Sequence, residues 1–105
     1  MSLDIYLNCE HCGTEIFSSN YTHNVTPMWS KAGCYQALYE SEDKRAEEIV
    51  TALEAAVRNM ADNPQEYITL NPPNGWGSYE TALPWLREFL NECKRHPKAI
   101  IGVSR

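Results

Sequence analysis

The two ends of the chain carry apolar residues at every second position, and this pattern restricts the fold more than any other feature. Residues 3–7 show the alternation near the start, and residues 99–103 show it near the end. A repeat of two is typical of a β-strand with one buried face. Residues 14–19 predict another strand, which the turn at residues 9–13 would join to the first as a β-hairpin. The last strand must lie in the same sheet as the hairpin if its apolar alternation is to be buried.

Between these strands the chain carries two apolar stripes at helical spacing, in residues 46–60 and 82–93. Ser41 is the expected N-cap for the first stripe, and Thr26-Pro27 indicates the start of a shorter helix. We therefore predict an α+β fold. A small, mostly antiparallel sheet, formed by the N-terminal β-hairpin and the C-terminal strand, would be covered by three or four helices. The length of 105 residues predicts a single domain, residues 1–105.

The composition argues against several classes of partner. The net charge is −5 and there is no cluster of basic residues, so we expect no binding to nucleic acid. No apolar run approaches the roughly 20 residues of a membrane helix, and no signal-peptide pattern follows the first residues. We therefore expect a cytoplasmic protein that contacts no membrane and keeps its cysteines reduced.

One uncharged stretch, Asn71-Pro72-Pro73-Asn74-Gly75-Trp76-Gly77-Ser78-Tyr79, has the composition of a rigid loop. Prolines fix the backbone, and glycines permit a positive φ and a close approach of other segments. The glycines beside Trp76 leave one face of its ring uncovered, so a flat ligand can stack there. We expect this central loop to be rigid, with Trp76 substantially buried against another element and forming a wall of a site.

A second stretch, Asn20-Tyr21-Thr22-His23-Asn24, has the same polar and aromatic character and is expected to be a loop. Asparagines would contact the hydrogen-bonding edges of a ligand, and Arg105 would meet a phosphate or a carboxylate. His23, Trp76 and Arg105 are predicted to lie around one concavity. The predicted ligand-binding residues are Asn20, Thr22, His23, Asn24, Asn74, Trp76, Tyr79 and Arg105.

His23 is also the one candidate for a general base. The acids nearest to it in sequence, Glu15 and Glu40, stand at no recognisable catalytic spacing. No nucleophile motif accompanies it. An imidazole that is hydrogen-bonded within a structured loop is therefore the favoured interpretation, and no catalytic residue is otherwise assigned.

Cys9-x-x-Cys12-Gly13 has the spacing of half a zinc site, because the two-residue gap lets both thiolates reach one tetrahedral ion. The sequence holds no second Cys-x-x-Cys, so zinc would need further ligands. A symmetric dimer could pool two such pairs, or the ligands could be drawn from His11, His23, Cys34 and His96. The alternative is a plain hairpin turn with two free thiols. A redox role is less favoured, since the pair lies between strands rather than at a helix N-terminus.

Several motifs together resemble a family of small uncharacterised proteins from tailed bacteriophages and related elements. They are Asp4-Ile5-Tyr6-Leu7, Asn20-x-Thr22-His23-Asn24, Ala32-Gly33-x-Tyr35, Asn71-Pro72-x-Asn74-Gly75-Trp76-Gly77-x-Tyr79 and Pro97-x-Ala99-x-Ile101-x-Val103-Ser104-Arg105. The resemblance spans nearly the whole chain. It implies an accessory protein in the host cytosol that inhibits or sequesters a host component.

These observations lead to three hypotheses for the function. The first is a non-catalytic protein that binds and sequesters a small polar, nucleotide-like ligand, such as a host signalling molecule. The second is a zinc-stabilised interaction module that binds a host protein. The third is a small hydrolase that acts through His23. A homo-oligomer is compatible with each of them.

Overall fold

Three antiparallel strands form the sheet in the computed structural model, which describes residues 2–105. The central strand is β1 (Ser2–Asn8), with β2 (Glu15–Thr22) on one side and β3 (Ile100–Ser104) on the other. Because both neighbours run antiparallel to β1, the start of β1 and the ends of β2 and β3 lie at the same end of the sheet. The predicted site residues begin at that end.

The helices cover one face of this sheet. Within residues 2–105 there are five α-helices, of which two are only five residues long, and two 3-10 turns at residues 23–25 and 46–48. The predicted α+β fold is thus confirmed. The helices are α1 (Thr26–Ala32), α2 (Tyr35–Tyr39), α3 (Val50–Asp62), α4 (Pro64–Ile68) and α5 (Tyr79–Arg95).

The core lies between the sheet and the two long helices. Leu3, Ile5 and Leu7 of β1 are fully buried, as the alternation predicted. Their side chains belong to the same apolar cluster as the inward stripes of α3 and α5, among them Leu53 and Phe89. Burying one continuous face in this way is the main favourable contribution to folding.

The prediction that residues 20–24 form a loop is wrong for the first three of them. Asn20–Thr22 continue β2, because they pair with the start of β1, Ser2 opposite Thr22. The chain leaves the sheet only at His23, where the Thr22 side chain accepts a hydrogen bond from the Asn24 backbone N–H at 3.2 Å and caps the 3-10 turn. The strand therefore carries the first polar site residues, which fixes their spacing.

The prediction that Ser41 caps the helix of the 46–60 stripe is also wrong, since α3 begins at Val50. Backbone N–H groups of Asp43 and Ala46 donate to the Ile101 and Ala99 carbonyls, and Ile101 donates back to the Lys44 carbonyl. Residues 43–46 thus line the open edge of β3 instead of starting a helix. This pairing is long-range and leaves no local sequence signal.

The last helix, α5, contains a proline, Pro84, in its interior. Ser78 occupies the N-cap position, so Pro84 lies inside the helix rather than in its first turn. Proline has no N–H to donate to the carbonyl of Glu80, and its ring crowds that turn. The helix nevertheless continues to Arg95, because its inward stripe is buried throughout.

Candidate functional site

A concavity of about 660 Å³ opens at the end of the sheet where β1 begins and β2 ends. The second wall is the central loop, which approaches from the start of α5. Six of the eight predicted ligand-binding residues border this cavity, and Ser2 and Tyr21 join them. The lining residues are Ser2, Asn20, Tyr21, Thr22, His23, Asn24, Asn74 and Trp76.

Tyr21 joins the two walls. Its ring packs against Trp29 and Trp85, with centroids 6.1 and 5.5 Å away. Its hydroxyl lies 3.2 Å from both the backbone nitrogen and the backbone oxygen of Ser78, and it also bonds the Thr81 hydroxyl. One side chain from β2 therefore satisfies polar groups at the first turn of α5 and holds the central loop in place.

Gly77 brings the central loop into direct contact with the first wall. Its φ is +89°, in the left-handed region that favours glycine. A Cβ at this position would lie 2.7 Å from Thr22 Cγ2 and 2.9 Å from Val25 Cγ1. The two walls thus pack with no room for a methyl group between them.

The expectation that Trp76 is substantially buried is wrong, because 68% of its surface is exposed. The central loop is held by polar side chains instead. Asn74 Oδ1 accepts from the Trp76 backbone N–H at 3.0 Å, and Asn71 Oδ1 accepts from the Tyr79 backbone N–H at 2.8 Å. Such side-chain-to-backbone bonds define a turn without burying an aromatic ring. The indole is therefore left in solvent beside the cavity.

His23 is oriented by a phenol. Its Nδ1 lies 2.8 Å from the Tyr39 hydroxyl, and the two rings are 5.5 Å apart. Burial raises the pKa of Tyr39 to about 12, with a further contribution from Tyr35 and an opposing one from Arg105. The phenol therefore keeps its proton at neutral pH, and its hydroxyl can either donate to Nδ1 or accept from it. In residues 2–105 no carboxylate is hydrogen-bonded to His23.

Two of the predicted residues do not border the cavity. The Tyr79 hydroxyl donates to the Met60 carbonyl at 2.7 Å, and its ring stacks on Tyr67, so this side chain joins α5 to α3 and α4. Arg105 is exposed beyond the end of β3, where its charge acts on Tyr39. Of the three side chains expected around one concavity, His23 and Trp76 border it and Arg105 does not.

Ser2 and Tyr21 line the cavity but were not among the predicted residues. Ser2 stands directly opposite Thr22 in the ladder, so the register of the hairpin would have located it. Tyr21 lies in the same motif as the predicted residues but was given no role of its own.

The cavity offers hydrogen-bonding groups and no charged side chain among its lining residues. In the described part of the chain, the side-chain amides of Asn20 and Asn24 have no intramolecular hydrogen-bond partner. Asn74 uses its oxygen within the loop, which leaves its NH₂ group to offer. Asp4 stands opposite Asn20 in the β1–β2 ladder and borders with it a second groove. This side of the molecule therefore suits an uncharged polar ligand better than an anion.

The cysteine pair lies at the opposite end of β1. Cys12 is exposed and its Sγ lies 3.2 Å from Thr14 Oγ1. Hydrogen bonds from the Thr14 side chain and backbone, with a contribution from the Cys9 thiol, lower the pKa of Cys12 to about 7. Within residues 2–105 no three His, Cys, Asp or Glu side chains lie close enough together to hold a metal ion.

Comparison with protein-family models, with characterised proteins and with solved structures finds no match to this chain. None of the helices in residues 2–105 has the length and apolar character that crossing a membrane requires. The function is therefore inferred from the geometry of the cavity and of the cysteine turn.

Proposed function

We propose that this protein is a non-catalytic binding protein that captures a small, flat, polar ligand of the nucleobase or nucleoside type in the cavity between β2 and the central loop. The observation that carries the proposal is the exposed Trp76 ring beside a cavity bordered by three asparagines. In the phage setting that the resemblance implies, capture would sequester a host molecule.

The size and lining of the cavity support a ligand of this class. Small-molecule sites typically occupy about 300–1,000 Å³, and the cavity measures about 660 Å³. A heterocyclic base carries donors and acceptors along its edge, which asparagine amides match in pairs. Stacking on an aromatic side chain contributes about 1–3 kcal/mol per base.

The absence of charge among the lining residues favours the base or nucleoside over a polyphosphate. Phosphates are usually bound by Arg or Lys side chains, or by helix N-termini with several free N–H groups. Arg105 would have to meet a phosphate from outside the cavity, since it is not a lining residue. A nucleotide would thus bind through its base, with its phosphate directed towards solvent.

His23 fits a binding role better than a catalytic one. Its Nδ1 is already paired with Tyr39, so Nε2 is the ring nitrogen left to bond a ligand. A general base is usually oriented by a carboxylate that stabilises its charged form, whereas a neutral phenol does not. The hydrolase hypothesis therefore has less support from this geometry.

A thermal-shift panel tests the proposal. Free bases, nucleosides and their mono- and triphosphates are added to the purified protein, because a ligand that binds only the folded state raises Tm. We expect the nucleosides or bases of at least one kind to raise Tm, and their triphosphates to add little further. Incubation of each hit followed by chromatography should recover it unchanged; turnover would favour the hydrolase instead.

The Trp76→Ala variant connects the binding to this cavity. Loss of stacking should lower the affinity about 5- to 150-fold, which corresponds to about 1–3 kcal/mol. Ile68→Ala is the matched control, because Ile68 is also an exposed apolar residue but lies in α4, outside the lining. Equal affinities of Trp76→Ala and the wild type would contradict the proposed site.

One observation also supports the alternative that this protein is a protein-interaction module. An exposed tryptophan is the side chain most typical of a protein-binding hot spot, and Trp76 is 68% exposed. If no base, nucleoside or nucleotide raises Tm, the alternative replaces the proposal.

A further inference from the structure

The turn between β1 and β2 presents two thiols in a fixed arrangement. The Cys9 backbone N–H donates to the Thr14 carbonyl at 2.8 Å, and the Gly13 N–H donates to the Cys9 carbonyl at 2.9 Å. Gly13 has a φ of +75°, and a Cβ there would meet nothing within 4 Å. Cys12 is exposed and Cys9 is half-buried, so both sulfurs can be reached from solvent. The turn thus presents two thiols at the spacing with which a Cys-x-x-Cys pair supplies two ligands of a tetrahedral ion.

The chain itself does not complete such a site. No third side chain of the required type in residues 2–105 lies within reach of both thiols. Cys34 is fully buried in the core. The side chain of His11 is 86% exposed and lies 3.5 Å from Glu10, whereas His96 Nε2 lies 3.7 Å from Glu92. Two of the four ligands must therefore come from outside the chain.

The surface beside the turn suits a second copy of this chain. Ile16, three residues after the turn, is 42% exposed and is one of the few large apolar side chains in solvent. It borders a groove of about 210 Å³, whose other lining residues are Cys9, Glu10, His11, His96, Pro97, Lys98 and Ala99. A two-fold axis through an ion at the turn would bring Ile16 and this groove of both copies towards each other.

We propose that two copies of this chain bind one Zn²⁺ between them, each contributing the thiolates of Cys9 and Cys12. Four thiols lose four protons to solvent when they form this Zn(S)₄ centre, and no redox change occurs. The proposal is independent of the ligand cavity, because β1 separates the two sites by roughly 20 Å. The dimer would carry its two cavities at its far ends, so a bivalent target could be held with higher avidity.

The test measures zinc content and mass together. Metal-free protein is titrated with zinc sulfate and analysed by size-exclusion chromatography with light scattering and by metal analysis of the eluted peak. We expect one zinc per two chains, and a mass twice the 12.0 kDa of the chain. A chelator should return the protein to the monomer. Cobalt in place of zinc should give the charge-transfer and d–d bands of a tetrahedral thiolate centre.

Variants identify the ligands. Cys9→Ser and Cys12→Ser should each lose the metal-dependent dimer, with circular dichroism showing that the zinc-free variants remain folded. His11→Ala and His96→Ala should keep both the stoichiometry and the dimer. One zinc per monomer, or loss of zinc in either histidine variant, would overturn the proposal in favour of a site within one chain. Failure to bind zinc, or a zinc-independent dimer, would overturn it as well.

Discussion

Alanine substitutions at Gly77 and Gly75 measure how firmly the two walls of the cavity are packed together. Both glycines have a positive φ, +89° at Gly77 and +78° at Gly75. Alanine in this region costs roughly 1–2 kcal/mol, and about 0.4–1 kcal/mol is regained from the less flexible unfolded chain. These two contributions are shared by both variants and cancel in the comparison.

Only Gly77→Ala adds a steric contact. The new Cβ would lie 2.7 Å from Thr22 Cγ2 and 2.9 Å from Val25 Cγ1, whereas the Cβ of Gly75→Ala would meet nothing within 4 Å. An extra methyl group in a tightly packed site typically costs about 1–3 kcal/mol. We therefore expect Gly77→Ala to be less stable than Gly75→Ala by about that amount, which corresponds to roughly 4–8 °C in Tm per kcal/mol.

Urea denaturation followed by tryptophan fluorescence gives the free energies of unfolding of both variants. A rescue variant identifies the contact. Thr22→Ser removes Cγ2 but keeps the hydroxyl that caps Asn24, so Thr22→Ser with Gly77→Ala should recover part of the loss. Recovery should be incomplete because Val25 remains. Equal stability of the two single variants would refute the argument that the central loop packs on the end of β2.

Two further predictions concern the tyrosine between the walls and the thiols. Tyr21→Phe leaves the partly buried Ser78 backbone without its phenol partner, so unfolding in urea should show a loss of about 0.5–1.5 kcal/mol with little change in helix content; an unchanged midpoint would contradict this role. In zinc-free protein, iodoacetamide should alkylate Cys12 first, because the thiolate is the nucleophile and the pKa of Cys12 is lowered to about 7. The rate should be half-maximal near that pH and level off above it. Cys34 and Cys93, whose pKa values burial raises to about 12, should stay unmodified while the protein is folded, and comparable labelling of all the cysteines would be evidence against these environments.

The sheet was predictable because its information is local. The alternation of residues 3–7 and the final strand require only that one face be buried, and the structure buries it. The start of α3 was not predictable, because Asp43 and Ala46 use their N–H groups on the edge of β3, which lies more than fifty residues further along the chain. A capping residue such as Ser41 indicates where a helix is able to start, but a competing edge of a sheet decides whether it does.

The candidate site was likewise predictable only in part. The loop chemistry of asparagine, glycine and tryptophan pointed to two segments that border one cavity, but the direction of each side chain depends on contacts between elements. Tyr79 has the composition of a site residue, yet it stands at the first position of α5 and turns towards Met60 and Tyr67. Trp76 was expected to fix the loop by being buried. The loop is fixed instead by asparagine oxygens and by the tight contact at Gly77.

The groups that hold the walls of the cavity differ from the groups that it offers to a ligand. The contacts that hold its walls use the Tyr21 hydroxyl, the Gly77 backbone and one oxygen of Asn74. The Asn20 and Asn24 amides take no part in them within the described residues. A ligand could therefore form its hydrogen bonds without breaking any that stabilise the fold, and the walls would need little further ordering. Because affinity is what remains after the cost of ordering the site, walls that are already held in place would support the proposed capture of a ligand.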